Sequence, residues 1–206
     1  MKMARLRILV KSMETKNFIR KEILSIRESL TSEEIINKSR SISERLFQLS
    51  EFKKADYILN YASFRNEVDT SFIYDYAAKN KIPVFYPKVE DDIMRFYLVD
   101  EQHELCKGYQ GILEPVIDGN QIEFHDAIKN NSWVNGIVIC PGSVFSKSGG
   151  RYGYGKGFYD KFLQNIPTLI KFGLCYDLQV KEFLLCDEHD VKMDFVITES
   201  QYYHTN

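Results

Sequence analysis

Gly136-Ile137-Val138-Ile139-Cys140-Pro141-Gly142 and, after a short gap, Gly149-Gly150-Arg151-Tyr152-Gly153-Tyr154-Gly155-Lys156-Gly157-Phe158-Tyr159-Asp160 are the stretches on which the reading of this chain turns. The first is a short, β-branched apolar run closed by Pro-Gly, the pattern of a buried strand. Residues from Gly157 to Gln164 then read as a helix. Five of the eleven glycines fall between positions 149 and 157, where they let backbone N–H groups approach a phosphate. A following helix N-terminus favours the same charge, and Arg151 and Lys156 supply the cations. The spacing is neither GxxxxGK[ST] nor GxGxxG, so neither common nucleotide fingerprint applies. A flexible surface loop would also accept alternating glycines. The two cations, the strand before and the helix after favour phosphate.

Outward from this segment, strands and helices alternate. Ile19, Ile23, Ile26 and Leu30 are spaced for one helix face, and Thr31 with Glu34 forms a capping-box pattern ahead of Ile35, Ile42, Leu46 and Leu49. Strands are predicted at 57–61, 83–86, 94–99, 169–174 and 192–197, with a helix near 70–79. Alternation of this kind argues for a layered α/β fold with a largely parallel sheet.

Several polar residues have two readings. Lys16, Arg20 and Arg27 share an edge of the first helix, where a basic edge is ordinarily solvated but can also meet a triphosphate. Asp160 can complement a helix dipole or hold Mg²⁺. Asp194, by spacing alone, reads as a strand-end solvent residue and a candidate second carboxylate. In the loop Ser63–Thr70, Asp69 or Thr70 suits a helix cap, whereas Glu67 has no evident structural task. Tyr109 stands in a loop suited to stacking on a flat ring.

The 206 residues suit one domain, read as residues 13–206 after an extension of residues 1–12. The net charge of −2 gives no bulk attraction for nucleic acid or membranes. Four cysteines, three of them in apolar runs, are scattered without metal-ligand spacing, which predicts buried reduced thiols and a cytoplasmic location. His103, His125, His189 and His204 read as surface histidines, and no nucleophile with a partnered base stands out.

Together, Arg151-x-Gly153-x-Gly155-x-Gly157-Phe158-Tyr159-Asp160, Lys16-x-x-Ile19-Arg20, Asn66-Glu67-Val68-Asp69-Thr70, Tyr86-Pro87-Lys88-Val89, Gly111-Ile112-Leu113-Glu114-Pro115 and Asp190-Val191-Lys192-Met193-Asp194 resemble the 5-formyltetrahydrofolate cyclo-ligase family, in its order and over nearly the whole chain. The resemblance implies a three-layer α/β/α fold and ATP- and Mg²⁺-dependent closure of 5-formyltetrahydrofolate, which can carry a polyglutamate tail, to 5,10-methenyltetrahydrofolate. It implies ATP contacts at Lys16, Arg20, Arg151, Tyr152, Gly153, Tyr154, Gly155, Lys156, Gly157, Phe158 and Tyr159, with Arg151, Lys156 and Tyr159 closest to the chemistry. Ala62, Glu67 and Tyr109 would border the folate together with Tyr154, Gly155, Lys156, Gly157 and Phe158, and Asp160 and Asp194 would hold Mg²⁺. Phe158 stands where the family more often has Tyr, and Tyr152 and Tyr154 replace a common Leu and a variable residue. The chain is expected to act as a monomer or weak dimer. A non-catalytic nucleotide-binding module, or a sugar-phosphate or coenzyme A enzyme of similar fold, are the competing readings. The second enzyme reading leaves Lys16, Arg20 and Glu67 unexplained, and the module predicts nucleotide binding without turnover.

Overall fold

The computed structural model describes residues 16–100 and 105–205, apart from the side chain of Tyr109. The expected extension at residues 1–12 and His103 lie outside the described residues. Helix α1 covers 16–28, followed by α2 Ser32–Gln48 and the single turn α3 Ser50–Lys53. Strand β1 Tyr57–Leu59 leads through α4 Ser71–Asn80 to β2 Val84–Glu90 and β3 Ile93–Leu98. After β4 Leu105–Lys107 and β5 Leu113–Pro115 come α5 Phe124–Asn130 and β6 Gly136–Cys140. The chain then runs through β7 Val144–Ser146, β8 Arg151–Tyr152, α6 Phe158–Gln164 and β9 Ile170–Leu174. It ends with β10 Val180–Lys181, β11 Phe195–Ile197 and β12 Tyr202–His204.

The central sheet has the strand order β12-β11-β9-β6-β1-β2-β3. Its five inner strands are parallel, and β3 and β12 pair antiparallel at the two edges. Alternation along each strand divides the core in two. Ile58, Ile137 and Ile139 face α2, α3 and α4 through Ile42, Leu46, Phe52, Ile73 and Ala77. Their neighbours Leu59, Val138 and Cys140 face α5 and α6 through Phe124, Ala127, Phe162 and Leu163. The expected three-layer α/β/α arrangement follows from this two-sided burial, because a strand covered on both faces reads as a continuous apolar run. Among the described residues no helix is long and apolar enough to cross a membrane.

Local chemistry sets the boundaries. Thr31 Oγ1 accepts from the Glu34 N–H at 3.2 Å while a Glu34 carboxylate oxygen accepts from the Thr31 N–H at 2.8 Å, the reciprocal capping box predicted from sequence. The β2–β3 hairpin turns at Asp91 and Asp92, both at positive φ, as a two-residue turn between twisted strands requires. Asn66, also at positive φ, donates to the carbonyls of Arg27, Glu28 and Leu30 at the end of α1, so the loop after β1 is pinned to that helix.

One helix face differs from the apolar stripe read in the sequence. Ile23 is buried, but Ile26 is exposed and Arg27 takes the inward position. Lys16, Arg20, Ile23 and Arg27 lie on the same inward side, so the basic edge turns inward, with Lys16 and Arg27 buried and Arg20 half-buried. The small sheet β10-β7-β8 lies between α1 and the central sheet, with Val144 and Tyr152 packed on Ile23 and Phe145 on the second core face.

The close approach of that small sheet gives a stability prediction. A Cβ added to Gly173 in β9 would sit 2.4 Å from Phe145 Cε1 and 3.1 Å from Met193 Cγ. Gly173→Ala is expected to lower stability by about 1–3 kcal/mol through overpacking, read by thermal or urea unfolding.

Candidate active site

A cleft of about 710 Å³ opens over the ends of β1 and β6. Its walls are the residues after β1 (Tyr61, Ala62, Glu67), the segment Arg151–Asp160, and α1 through Lys16, Asn17 and Arg20. Ligands in open α/β sheets bind beyond the carboxyl ends of the strands, where the strand order changes direction. Here β1 leads to β2 on one side and has β6 on the other, so the cleft stands at that place.

The glycine segment begins as a strand and becomes a loop only at Gly153. Gly155 and Gly157 have φ of +97° and +69°, conformations that a Cβ disfavours. The first backbone bond of α6 runs from the Lys161 N–H to the Gly157 carbonyl at 3.0 Å, which leaves the preceding N–H groups without a helical acceptor.

Four cations stand in or around this loop. Arg151 is buried, with Nη2 3.0 Å from Asp160 Oδ1, Nη1 donating to the Pro141 carbonyl at 3.2 Å, and its charge over the Tyr159 ring. Lys16 is only 6% exposed and donates to Asp187 Oδ2 at 2.6 Å and Asp190 Oδ2 at 2.9 Å. Burial pushes the Lys16 ammonium down, but the two carboxylates outweigh it, so the net shift is upward and the group stays charged. Lys16 and Arg20 both lie over the Tyr152 ring, at 5.2 and 5.5 Å from its centroid. Lys156 is exposed at the lip. Arg20 Nε, Arg151 Nε and Tyr159 Oη, all on residues that line the cleft, are buried without hydrogen-bond partners, which leaves polar capacity there unused.

The opposite wall is mostly apolar, with Pro87, Val89 and Met94 from the β2–β3 hairpin, Ile112 and Ala62, and it also carries Gln110 and Glu114, whose Oε1 accepts from the Val89 N–H at 3.4 Å. Glu67 stands at its base, 5% exposed. Its Oε1 accepts from Tyr154 Oη at 2.6 Å and its Oε2 from the Phe64 N–H at 3.0 Å. Burial raises the Glu67 carboxyl above its usual range, while Arg27, Tyr154 and the Phe64 N–H pull it part of the way back. A charged groove facing a largely apolar slot with a carboxylate at its base can hold a polyanion beside a flat ring that carries N–H donors.

Most residues singled out from sequence are brought together here: Lys16, Arg20, Ala62, Glu67 and every position from Arg151 to Asp160 border the cleft. Asp194 does not. Its Oδ2 accepts from the Lys171 N–H at 2.7 Å and pairs with the Lys171 ammonium at 2.9 Å. Asp190 does line the cleft, as Asp160 does, and the N–H of its neighbour Val191 donates to Asp160 Oδ1 at 3.1 Å. The motif Asp190-x-x-x-Asp194 carried two aspartates, and spacing could not say which one faces inward. The backbone of Tyr109 lies in the short turn Tyr109–Gly111, next to the cleft residue Gln110; its side chain is outside the described residues. Among the described residues no group of three or more His, Cys, Asp or Glu side chains is disposed to hold a metal ion.

Cys140 and Cys175 are buried as expected, but Cys186 is exposed. Leu184 packs towards α1 while Phe183 and Leu185 face outward. Burial pushes the Cys140 thiol up to about 12. At neutral pH a thiol reagent should therefore label Cys106 and Cys186 in the native protein and reach Cys140 and Cys175 only on unfolding, as peptide mass mapping would show.

Residues 12–199 match the model of the 5-formyltetrahydrofolate cyclo-ligase family. The chain is 31% identical over 182 residues to the 5-formyltetrahydrofolate cyclo-ligase of Haemophilus influenzae, covering 85% of this chain and 92% of that one. It is 28% identical over 187 residues to the enzyme of the same name from Mycoplasma pneumoniae, covering 89% and 98%. The solution structure of Aquifex aeolicus 5,10-methenyltetrahydrofolate synthetase superposes with a TM-score of 0.77 at 31% identity, over 93% of both chains.

Proposed function

Because the chain belongs to the 5-formyltetrahydrofolate cyclo-ligase family, we propose that it closes 5-formyltetrahydrofolate to 5,10-methenyltetrahydrofolate while converting ATP to ADP and phosphate with the help of Mg²⁺. The observation that carries this reading is the two-sided cleft: cations and a glycine loop on one wall, and a largely apolar slot with Glu67 on the other.

The residues divide the work. The triphosphate would lie along Gly153–Tyr159, with Arg151 and Lys156 on the transferring phosphate and Arg20 and Lys16 further along the chain of phosphates. Lys16 would leave Asp190 for the phosphates. The folate ring would enter the slot beside Ala62, Met94 and Phe158, with the Glu67 carboxylate accepting its N–H donors; Tyr109 sits near enough in sequence to Gln110 to border it. Asp160 and Asp190 are the residues that would hold Mg²⁺, in place of the Asp160 and Asp194 pair, and two carboxylates beside phosphate oxygens and water suit that ion. Bound Mg²⁺ would neutralise phosphate charge during transfer.

A formyl oxygen is a poor leaving group, so the γ-phosphate is transferred to it first. N10 then attacks the activated formyl carbon, the ring closes, the N10 proton is lost and phosphate departs with the former formyl oxygen. The chain needs no nucleophile for this sequence. It supplies orientation and positive charge, which agrees with the buried cations. The free cysteines fit a reducing, cytoplasmic setting.

The test is the fate of one atom. With heavy oxygen in the formyl group, the label should appear in the released phosphate; label retained in a folate product would refute phosphorylation of that oxygen. Arg151→Ala and Lys156→Ala should each lower kcat/KM for ATP by about 10- to 100-fold, the worth of one charge-assisted hydrogen bond. Turnover near wild type in both would contradict the assignment.

A further inference from the structure

Arg27 is the cation of the basic helix face that the cleft does not use. Its side chain is 0% exposed, its Nη1 donates to the Gly142 carbonyl at 3.2 Å, and its Nη2 donates to Tyr154 Oη at 2.6 Å. We propose that Arg27 and Tyr154 are positioning residues that fix both the place and the charge state of Glu67, so that recognition on the folate side depends on the chain Arg27–Tyr154–Glu67 and not on Glu67 alone. The inference rests on the assignment of Glu67 to the folate side made above.

The direction of the hydrogen bonds carries the argument. A guanidinium only donates, so the Tyr154 oxygen accepts from Arg27 and must give its single proton to Glu67 Oε1. The Phe64 N–H donates to Oε2. Both oxygens of Glu67 thus accept, the pattern of a carboxylate, with remaining lone pairs for the N–H donors of a ligand. A protonated Glu67 would offer a donor instead and would mismatch that ligand. Tyr154 thereby joins the glycine loop to the loop after β1, while Asn66 ties the latter to the Arg27 carbonyl at 3.4 Å.

The groups around Glu67 come from five elements. Arg27 lies on α1, Tyr61 follows β1, Tyr154 is on the glycine loop, Tyr159 is on α6, and Tyr176, after β9, donates to the Glu67 carbonyl at 3.0 Å. Burial pushes all four phenols up, so they stay neutral where a carboxyl titrates. Arg27 is the charged group among them, 4.0 Å from Glu67 Oε1. The sign follows directly. Affinity for an N–H donor ligand is full above the Glu67 pKa and is lost as pH falls through it. Removing the Arg27 charge raises that pKa further, so the loss moves to higher pH.

The experiment is equilibrium binding of 5-formyltetrahydrofolate to the full chain, without ATP, from about pH 5 to about pH 9. Arg27→Met should move the midpoint of the affinity loss upward by about one pH unit or more, Tyr154→Phe should move it in the same direction, and Arg27→Lys should bring it back towards wild type. Tyr154 stands partly exposed on its loop, so Tyr154→Phe keeps the test decisive if Arg27→Met does not fold. Variants that bind more weakly by one factor at every pH, with the midpoint unmoved, would reduce Arg27 and Tyr154 to structural supports and overturn the inference. A wild type that binds ATP but no 5-formyltetrahydrofolate at any pH would overturn the folate-side assignment, and the inference with it.

Discussion

The parallel pairing of β1 with β6 is the constraint on which the rest of the structure depends. Tyr57, Ile58 and Leu59 are in register with Gly136, Ile137 and Val138, which sets the ends of both strands side by side. The loop after β1 delivers Glu67 and the loop after β6 delivers Arg151 and the glycines. A one-residue slip would put Ile58 and Ile137 on opposite core faces and would offset those two loops. Burial of both sheet faces therefore fixes the alignment that builds the cleft.

Charge burial is the second organising feature. Lys16, Arg27 and Arg151 are almost completely enclosed, a state that costs several kcal/mol per ion unless partners are supplied. Each has one: Asp187 and Asp190 for Lys16, Glu67 through Tyr154 for Arg27, and Asp160 for Arg151. The pairs hold cations and carboxylates ready on one surface before any ligand arrives. A polyanion entering the cleft exchanges one set of partners for another and need not create positive charge where none stood.

The sequence disclosed the strand Gly136–Cys140, the capping box at Thr31 and the glycine loop because each has a strong local signature. It did not disclose the small sheet: β7, β8 and β10 are two or three residues long, too short to show a period. The helix α5, with seven residues, lacks the glycine boundary that marks the equally short α6. Apolar spacing assigns the inward helix face to Ile26, and only tertiary packing shows that the paired Arg27 guanidinium takes it. Asp190 and Asp194 look alike in sequence, and only the packing shows that Asp194 pairs with Lys171 while Asp190 lines the cleft.

The most direct measurement is the absorbance of the methenyltetrahydrofolate band in a mixture of purified chain, 5-formyltetrahydrofolate, ATP and Mg²⁺. The account predicts a rise that needs all four components and stops when EDTA is added. A flat trace from folded protein that still binds ATP would contradict it.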